Sequence, residues 1–199
     1  VTTLIEMARM FKELPVRPKR SLLFIALTGE EKGLLGADYF ARNPTVPLPS
    51  IVANVNLDMP ILTFDFSSVV AFGAEHSSLK DVTAVAAKKT GLQLIPDPTP
   101  EQGIFTRSDH YMFVKQGVPS IMMATGITSF NQADDANKLR TEFLQTHYHQ
   151  VSDDLNLPIN YDANAQFVQM NFQLALEIAN TAKKPAWNEG DFFGKKKKK

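Results

Sequence analysis

Acidic side chains directly follow two apolar stretches of the chain that have the pattern of buried strands. Glu30 and Glu31 come after the run from Ser21 to Thr28, and Asp58 comes after the run from Ile51 to Leu57. In open α/β sheets, ligands bind outside the carboxyl ends of the strands, so these three carboxylates are expected at one rim of a sheet. Carboxylates at such a rim can act as general bases or as ligands of a divalent metal ion.

A third candidate segment lies near residue 150. His147 and His149 stand on a predicted loop, close to the carboxylate pair Asp153 and Asp154. Because the chain contains no cysteine, any metal site must use histidine, aspartate and glutamate. Carboxylates at strand ends together with a distant loop histidine form the donor set that zinc requires, with one extra carboxylate free to act as a base.

Each of these residues also has an interpretation that involves no chemistry. Glu30 and Glu31 suit a helix N-terminus, where acidic side chains interact favourably with the helix dipole. Asp58 suits a turn before Met59 and Pro60. Adjacent loop histidines are commonly surface residues. The combination of all three segments nevertheless favours a metal site over any of the separate explanations.

The elements that would position these residues alternate along the chain between helices and strands. That alternation predicts an α/β fold with three αβα layers, in which helices cover both faces of a mostly parallel central sheet. Residues 1–190 are predicted to form a single domain, and residues 191–199 a tail with a lysine run. The predicted helices cover residues 3–14, 34–42, 78–89 and 108–116, the predicted strands cover 21–28, 51–57, 68–72, 92–95 and 119–124, and Phe167, Met170, Leu174 and Ile178 form the apolar stripe of a final helix.

Composition excludes two classes of partner. The 199 residues include 21 basic and 21 acidic ones, but the lysine run from Lys195 to Lys199 leaves only 16 basic residues in the body. An acidic body argues against nucleic-acid binding, which needs a clustered excess of Lys and Arg. No stretch reaches the roughly 18 apolar residues that a membrane span requires, and no signal-peptide pattern opens the sequence.

Four ordered motifs and the closing segment from Trp187 to Gly194 resemble those of the co-catalytic di-zinc aminopeptidases. This family includes bacterial leucyl aminopeptidases, and glutamate carboxypeptidase and glutaminyl cyclase are relatives. The four motifs are the Gly-Glu-Glu segment within Leu23 to Phe40, Asn56-Leu57-Asp58-Met59, Arg107-Ser108-Asp109-His110 with Gly117-Val118-Pro119, and Tyr148-His149-Gln150-Val151-Ser152-Asp153-Asp154.

The resemblance implies a role for each matching residue. Glu30 would be the general base, which takes a proton from the metal-bound water and passes it to the leaving amine. Glu31 and His149 would ligate one zinc, and Asp58 would ligate the other. His147 is the competing loop ligand, but only His149 precedes the serine and aspartate at the family spacing.

The segment from Arg107 to His110 has two interpretations. Ser108, Asp109 and His110 are the residue types of a catalytic triad, but three consecutive residues cannot direct their side chains at one another as the relay requires. The resemblance instead places Arg107, Ser108, Asp109 and His110 at the rim of the substrate pocket or behind the metal ligands.

The resemblance also indicates that part of the family site is missing. The family uses five protein ligands, and two of them, a histidine in a His-x-Asp segment and a bridging aspartate, precede the Gly-Glu-Glu strand. Asn131 to Asp135 is superficially similar but lies in the wrong place. The expectation is therefore an N-terminally truncated domain that lacks its N-terminal strands and holds at most one of the two zinc ions well.

The resemblance implies a zinc-dependent exopeptidase that removes N-terminal residues from peptides, with weak or no activity in this truncated form. The alternatives are a non-catalytic binding domain on the same fold, or a carboxypeptidase or glutaminyl cyclase relative. Loss of upstream strands would expose a sheet edge, which favours self-association. Because family members are commonly exported, an extracytoplasmic parent protein is expected.

Overall fold

The computed structural model describes residues 1–194, which form helices packed around a four-stranded sheet. Within them, no helix is long and apolar enough to cross a bilayer. The helices are α1 (Thr2–Glu13), α2 (Leu35–Arg42), α3 (Leu79–Lys89), α4 (His110–Lys115), α5 (Ala136–Thr146) and α6 (Tyr161–Asn180), and the strands are β1 (Asn54–Leu57), β2 (Ser68–Phe72), β3 (Gln93–Ile95) and β4 (Ser120–Thr125).

The strand order in the sheet is β1-β4-β2-β3. β1 pairs with β4 in parallel, with Val55 opposite Ile121, and β2 pairs with β3 in parallel. β2 and β4 are antiparallel, with Ala71 opposite Met123. The predicted α/β class with a mostly parallel sheet is thus confirmed.

Alternate residues of the two central strands face opposite helical layers, as the two-residue period of a strand requires. Val69 and Met123 belong to a cluster that includes residues of α3 and α6. Val70 and Met122 belong to a second cluster that includes residues of α4. Because both faces are covered, the residues of these strands are mostly apolar.

The predicted stripe of the last helix is also confirmed. Phe167, Met170, Leu174 and Ile178 on α6 are all buried in the larger core cluster. Their spacing of three or four residues places them on one side of the helix. This side packs toward α3 and the sheet, so α6 is the main support behind the strands.

The prediction of a strand over residues 21–28 is wrong. These residues are extended but unpaired: residues 21–27 make no backbone–backbone hydrogen bond within the described chain, so no strand forms. A cavity of about 210 Å³, referred to below as the slot, has both residues 23–27 and β1 in its lining. The physical reason is therefore the absence of a neighbouring strand, because an apolar run becomes a strand only when its amides and carbonyls find partners.

We expect the backbone amides of residues 22–27 to exchange with solvent at least about a hundredfold faster than those of β2 and β4, because they have no hydrogen-bond acceptors. Hydrogen exchange followed by mass spectrometry on peptic fragments measures this difference. Protection of residues 22–27 equal to that of β4 would show that the segment is paired in solution.

Of the predicted tail over residues 191–199, the structure describes residues 191–194. Asp191 Oδ2 lies 2.8 Å from His76 Nδ1, and the Phe193 ring lies 5.1 Å from the Phe105 ring. These contacts place residues 191–194 against the loop after β2 and against the short 3₁₀ helix Ile104–Thr106. The lysine run from Lys195 to Lys199 lies outside the described residues.

Candidate active site

A tight turn after residue 28 presents two carboxylates at one end of the sheet. Gly29 has φ +69°, in the left-handed region that favours glycine, and the short 3₁₀ helix Glu30–Lys32 follows it. A Cβ on Gly36 would lie 2.3 Å from the Thr28 carbonyl oxygen, so only glycine lets α2 begin this close to the turn. Glu30 is half-buried, whereas Glu31 is exposed.

Asp58 is held by a short chain of hydrogen bonds. Ser108 donates its hydroxyl proton to Asp58 Oδ2 at 2.6 Å and accepts a hydrogen bond from the Asn56 side-chain amide at 2.8 Å. The residue after Asp58, Met59, has φ +34°, which is unusual for a side chain with a Cβ. Asn56, Asp58 and Ser108 therefore form one connected group, in which Ser108 orients the carboxylate.

The loop after α5 brings one histidine to the turn carboxylates. His149 Nε2 lies 2.6 Å from Glu31 Oε1, and the His149 ring stacks on Tyr148 with 3.8 Å between ring centroids. His149 has φ +58°, a left-handed conformation that costs about 1–3 kcal/mol for a non-glycine residue. His147 instead makes a 2.9 Å contact with Ser152.

These groups surround a cavity of about 380 Å³, called the main cavity below. Its volume lies within the range of small-molecule sites. The lining includes acidic groups, an apolar floor from β2 and β4, and two arginines. The lining residues used below are Glu30, Glu31, Asp58, Tyr148, His149 and Asp153 among the polar groups, Phe72, Met122, Phe143 and Leu144 among the apolar ones, and Arg107 and Arg140.

The electrostatics of the main cavity favour proton uptake by Glu30. Burial raises the pKa of Glu30, and the neighbouring Asp58 and Glu31 carboxylates raise it further, while His149 opposes the shift. Burial and the same carboxylates raise the pKa of Tyr148, so its phenol stays protonated at neutral pH. The main cavity therefore combines a carboxylate with increased basicity and a phenol that can donate a hydrogen bond.

The Arg107 to His110 segment divides between the two cavities. Arg107 and Ser108 line the main cavity, whereas Asp109 and His110 line the slot beside β1. Burial raises the pKa of Asp109, and the nearby Asp58 carboxylate adds to the effect. Burial lowers the pKa of His110 to about 4, so this ring is neutral at physiological pH. The structure thus does not place Asp109 and His110 in the lining of the predicted substrate pocket.

The donor atoms fit a zinc ion only in part. Glu31 and His149 supply a carboxylate oxygen and a ring nitrogen in contact, and Asp58 adds a carboxylate to the same cavity. Within residues 1–194, however, no group of three or more His, Asp or Glu side chains converges as a metal site. Catalytic zinc typically has three protein ligands, so the described donors fall short of a complete site.

Sequence reasoning missed the helix that forms one wall of the main cavity. α5 begins where the Asp135 side chain accepts a hydrogen bond from the Lys138 amide at 2.9 Å, a helix N-cap that the sequence pattern could have indicated. Its residues Arg140, Phe143 and Leu144 line the cavity. The sequence identifies Tyr148 only as part of a motif, and no sequence pattern indicates that its ring stacks on His149.

The comparisons with solved structures identify the fold. An aminopeptidase from Aneurinibacillus sp. strain AM-1 superposes with a TM-score of 0.65 and 18% identity over 92% of this chain and 39% of that protein. The zinc aminopeptidase BSAP from Bacillus subtilis superposes with a TM-score of 0.66 and 22% identity over 92% of this chain and 41% of that protein. Porphyromonas gingivalis glutaminyl cyclase superposes with a TM-score of 0.53 and 18% identity over 87% of this chain and 59% of that protein. The fold is therefore the one that these proteins share, and the chain spans less than half the length of the two aminopeptidases.

The sequence assigns the family directly. Residues 1–175 match the model of Peptidase family M28, so the chain belongs to that family. None of the curated protein sequences matches the chain. The family and the aminopeptidase neighbours confirm the resemblance that the four motifs indicated.

Proposed function

We propose that this chain carries the general base and part of the zinc-binding set of an aminopeptidase that hydrolyses N-terminal peptide bonds. The observation that carries the proposal is the convergence of Glu30, Glu31, Asp58 and His149 on the main cavity from three separate parts of the chain. Because the described donors do not complete a metal site, we propose that the chain as given holds at most one zinc ion and turns over slowly or not at all.

The proposed roles follow from the position and basicity of each group. Glu30 takes a proton from the attacking water, which its raised pKa favours, and returns it to the leaving amine. Glu31, His149 and Asp58 would hold zinc, which supplies Lewis-acid polarisation of the scissile carbonyl. The Tyr148 hydroxyl offers a hydrogen bond to the substrate in the same cavity.

The charge of the main cavity favours an aminopeptidase over a carboxypeptidase. Glu30, Glu31, Asp58 and Asp153 place four carboxylates in its lining. These four carboxylates outnumber the two arginines of the same lining, Arg107 and Arg140, so the metal-free cavity attracts the ammonium group at a peptide N-terminus and repels a C-terminal carboxylate beside the acidic groups. The N-terminal residue of the substrate is therefore proposed to lie at the Glu30 end.

A second candidate function is that of a non-catalytic binding domain. It is favoured by one observation: within residues 1–194, no three His, Asp or Glu side chains are grouped so that they could hold one metal ion. Under this alternative the main cavity still binds peptide N-termini through its carboxylates. Zinc would then bind no more tightly than to an ordinary surface, and hydrolysis would be absent.

Zinc titration of the metal-free protein by calorimetry tests the proposal. Replacement of His149 with alanine is expected to lower zinc affinity at least about tenfold, because it removes the nitrogen donor beside Glu31. Hydrolysis of aminoacyl p-nitroanilides by the zinc-loaded protein is measured in parallel. Two tight zinc sites or brisk turnover would contradict the proposed incomplete site.

The matched control is His147→Ala, two residues away on the same loop. Its ring contacts Ser152 and not Glu31, so zinc affinity is expected to remain that of the wild type. An equal loss in both variants would show that the loop structure, not the His149 ring, determines affinity. No zinc binding by the wild type would favour the binding domain.

We also propose that the unpaired backbone of residues 21–27 promotes self-association. Unpaired amides and carbonyls on an extended apolar segment are a template for pairing with another chain. Size-exclusion chromatography with light scattering tests this over a range of concentrations. A monomer at every concentration would contradict it.

A further inference from the structure

One side of α5 is directed into the main cavity. Arg140, Phe143 and Leu144, at positions i, i+3 and i+4, all line it. Residues with this spacing lie on one face of a helix, so the cationic group and the two apolar groups form a single wall. None of the roles proposed above uses Arg140.

Arg140 is a half-buried cation without a partner. Within residues 1–194 its guanidinium makes no hydrogen bond and no ion pair. Arg20, the other half-buried arginine of the described chain, donates hydrogen bonds to the carbonyls of Ile178, Ala179 and Thr181. A partly buried guanidinium normally finds acceptors in this way, because desolvation without compensation is unfavourable. Arg140 therefore has unused donors directed at the cavity.

Arg140 lies on α5 well before the loop that carries His149. It lies six residues before Thr146, the end of α5, which corresponds to about 9 Å along the helix axis. Tyr148 and His149 follow just beyond that end, where His149 meets Glu31. Along α5, Phe143 and Leu144 thus lie between the unpaired cation and the loop that brings His149 to Glu31.

A short zwitterionic peptide matches this distribution of charge. Three extended residues span about 10 Å, comparable to the distance along α5. A guanidinium can hold a carboxylate through two parallel hydrogen bonds, which gives geometric specificity as well as affinity. We propose that Arg140 binds the C-terminal carboxylate of tripeptide-sized ligands and so directs this site toward short peptides. The proposal rests on the proposed function, which places the peptide N-terminus at the Glu30 end.

Calorimetric binding of Leu-Gly-Gly and of its C-terminal amide tests the proposal, with EDTA present so that no hydrolysis occurs. The free acid is expected to bind about tenfold or more tightly than the amide, because only the acid carries the charge that Arg140 recognises. Arg140→Met is expected to reduce this ratio to about one. Arg140→Lys is expected to retain part of the preference, since it keeps the charge but loses the paired geometry.

Lys138→Met provides the matched control. Lys138 is an exposed cation on the same helix and does not line the main cavity, so its removal is expected to leave the acid-to-amide ratio unchanged. Thermal melts establish that each variant is folded. If Arg140→Met does not fold, the acid-to-amide affinity ratios of the wild type and of Arg140→Lys still test the role of Arg140.

The outcomes separate this inference from the proposed function. Equal affinity for acid and amide in the wild type, no binding of either peptide, or a preference that survives in Arg140→Met would each overturn the role of Arg140. Cleavage of leucine p-nitroanilide, which has no C-terminal carboxylate, reports the proposed function separately. A preference for the acid without any p-nitroanilide cleavage would support Arg140 and favour the non-catalytic binding domain over the peptidase.

Discussion

Replacing Glu30 with glutamine is expected to lower the hydrolysis of leucine p-nitroanilide by the zinc-supplemented protein about 10²–10⁴-fold, the usual contribution of a general base. Glutamine has the same shape but cannot take up the proton from the attacking water. The rate is measured at high protein concentration over hours, with EDTA-treated protein as the background, because the wild-type rate is itself expected to be slow.

Zinc affinity distinguishes a lost base from a damaged site. Glu30→Gln is expected to bind zinc as the wild type does, because Glu30 is not among the proposed donors. Glu31→Gln, the adjacent substitution on the same turn, is expected to weaken zinc binding, because Glu31 contacts His149. Equal turnover of Glu30→Gln and wild type above the background would exclude Glu30 as the base. If Glu30→Gln weakened zinc binding and Glu31→Gln did not, Glu30 would be the zinc ligand and Glu31 the candidate base.

The fold could be predicted from sequence wherever an element finds its partners within the described chain. The predicted strands over residues 68–72 and 119–124 correspond to β2 and β4, which pair with each other and are covered on both faces. Residues 21–28 have an equally clear strand pattern but stay unpaired. Sequence periodicity reports the preference of a segment, whereas strand formation depends on a neighbour that the pattern of that segment cannot specify.

Membership of the site was easier to predict than its contacts. Glu30, Glu31 and Asp58 all line the main cavity, as expected from their positions after apolar runs, but only Asp58 follows a strand of the sheet, because residues 21–28 form none. The hydrogen bond from Ser108 to Asp58 joins residues that are 50 positions apart, and no local pattern encodes it. That His149 rather than His147 is a metal ligand stays a prediction; of the two rings, the one in contact with Glu31 is that of His149.

The motif from Arg107 to His110 predicts the lining of the main cavity for only two of its four residues. Arg107 and Ser108 line the main cavity, but α4 begins at His110 and turns the next side chains toward the slot. Arg140 belongs to none of the motifs, and its proposed role depends on which face of α5 borders the main cavity. A motif identifies residue types that resemble those of a family, whereas the direction of each side chain depends on the helix that carries it.

Replacing Phe167 with alanine is expected to lower the free energy of unfolding by about 3–5 kcal/mol, a large part of the total stability of a domain of this size. Phe167 is 0% exposed in the core behind the sheet. Its ring meets Phe66 edge to face, with 6.4 Å between centroids, an arrangement that adds about 0.5–1.5 kcal/mol to area burial. Urea denaturation followed by circular dichroism measures the change.

Leu155→Ala is the control, because Leu155 is 84% exposed and its truncation is expected to change stability by less than about 0.5 kcal/mol. A loss below about 1 kcal/mol in Phe167→Ala would mean that the surrounding side chains collapse into the vacated space. The main cavity depends on this core, since Ile61, which lines it, belongs to the same cluster as Phe66 and Phe167. Loss of Phe167 is therefore expected to weaken zinc and peptide binding near the unfolding midpoint, although its side chain reaches neither ligand.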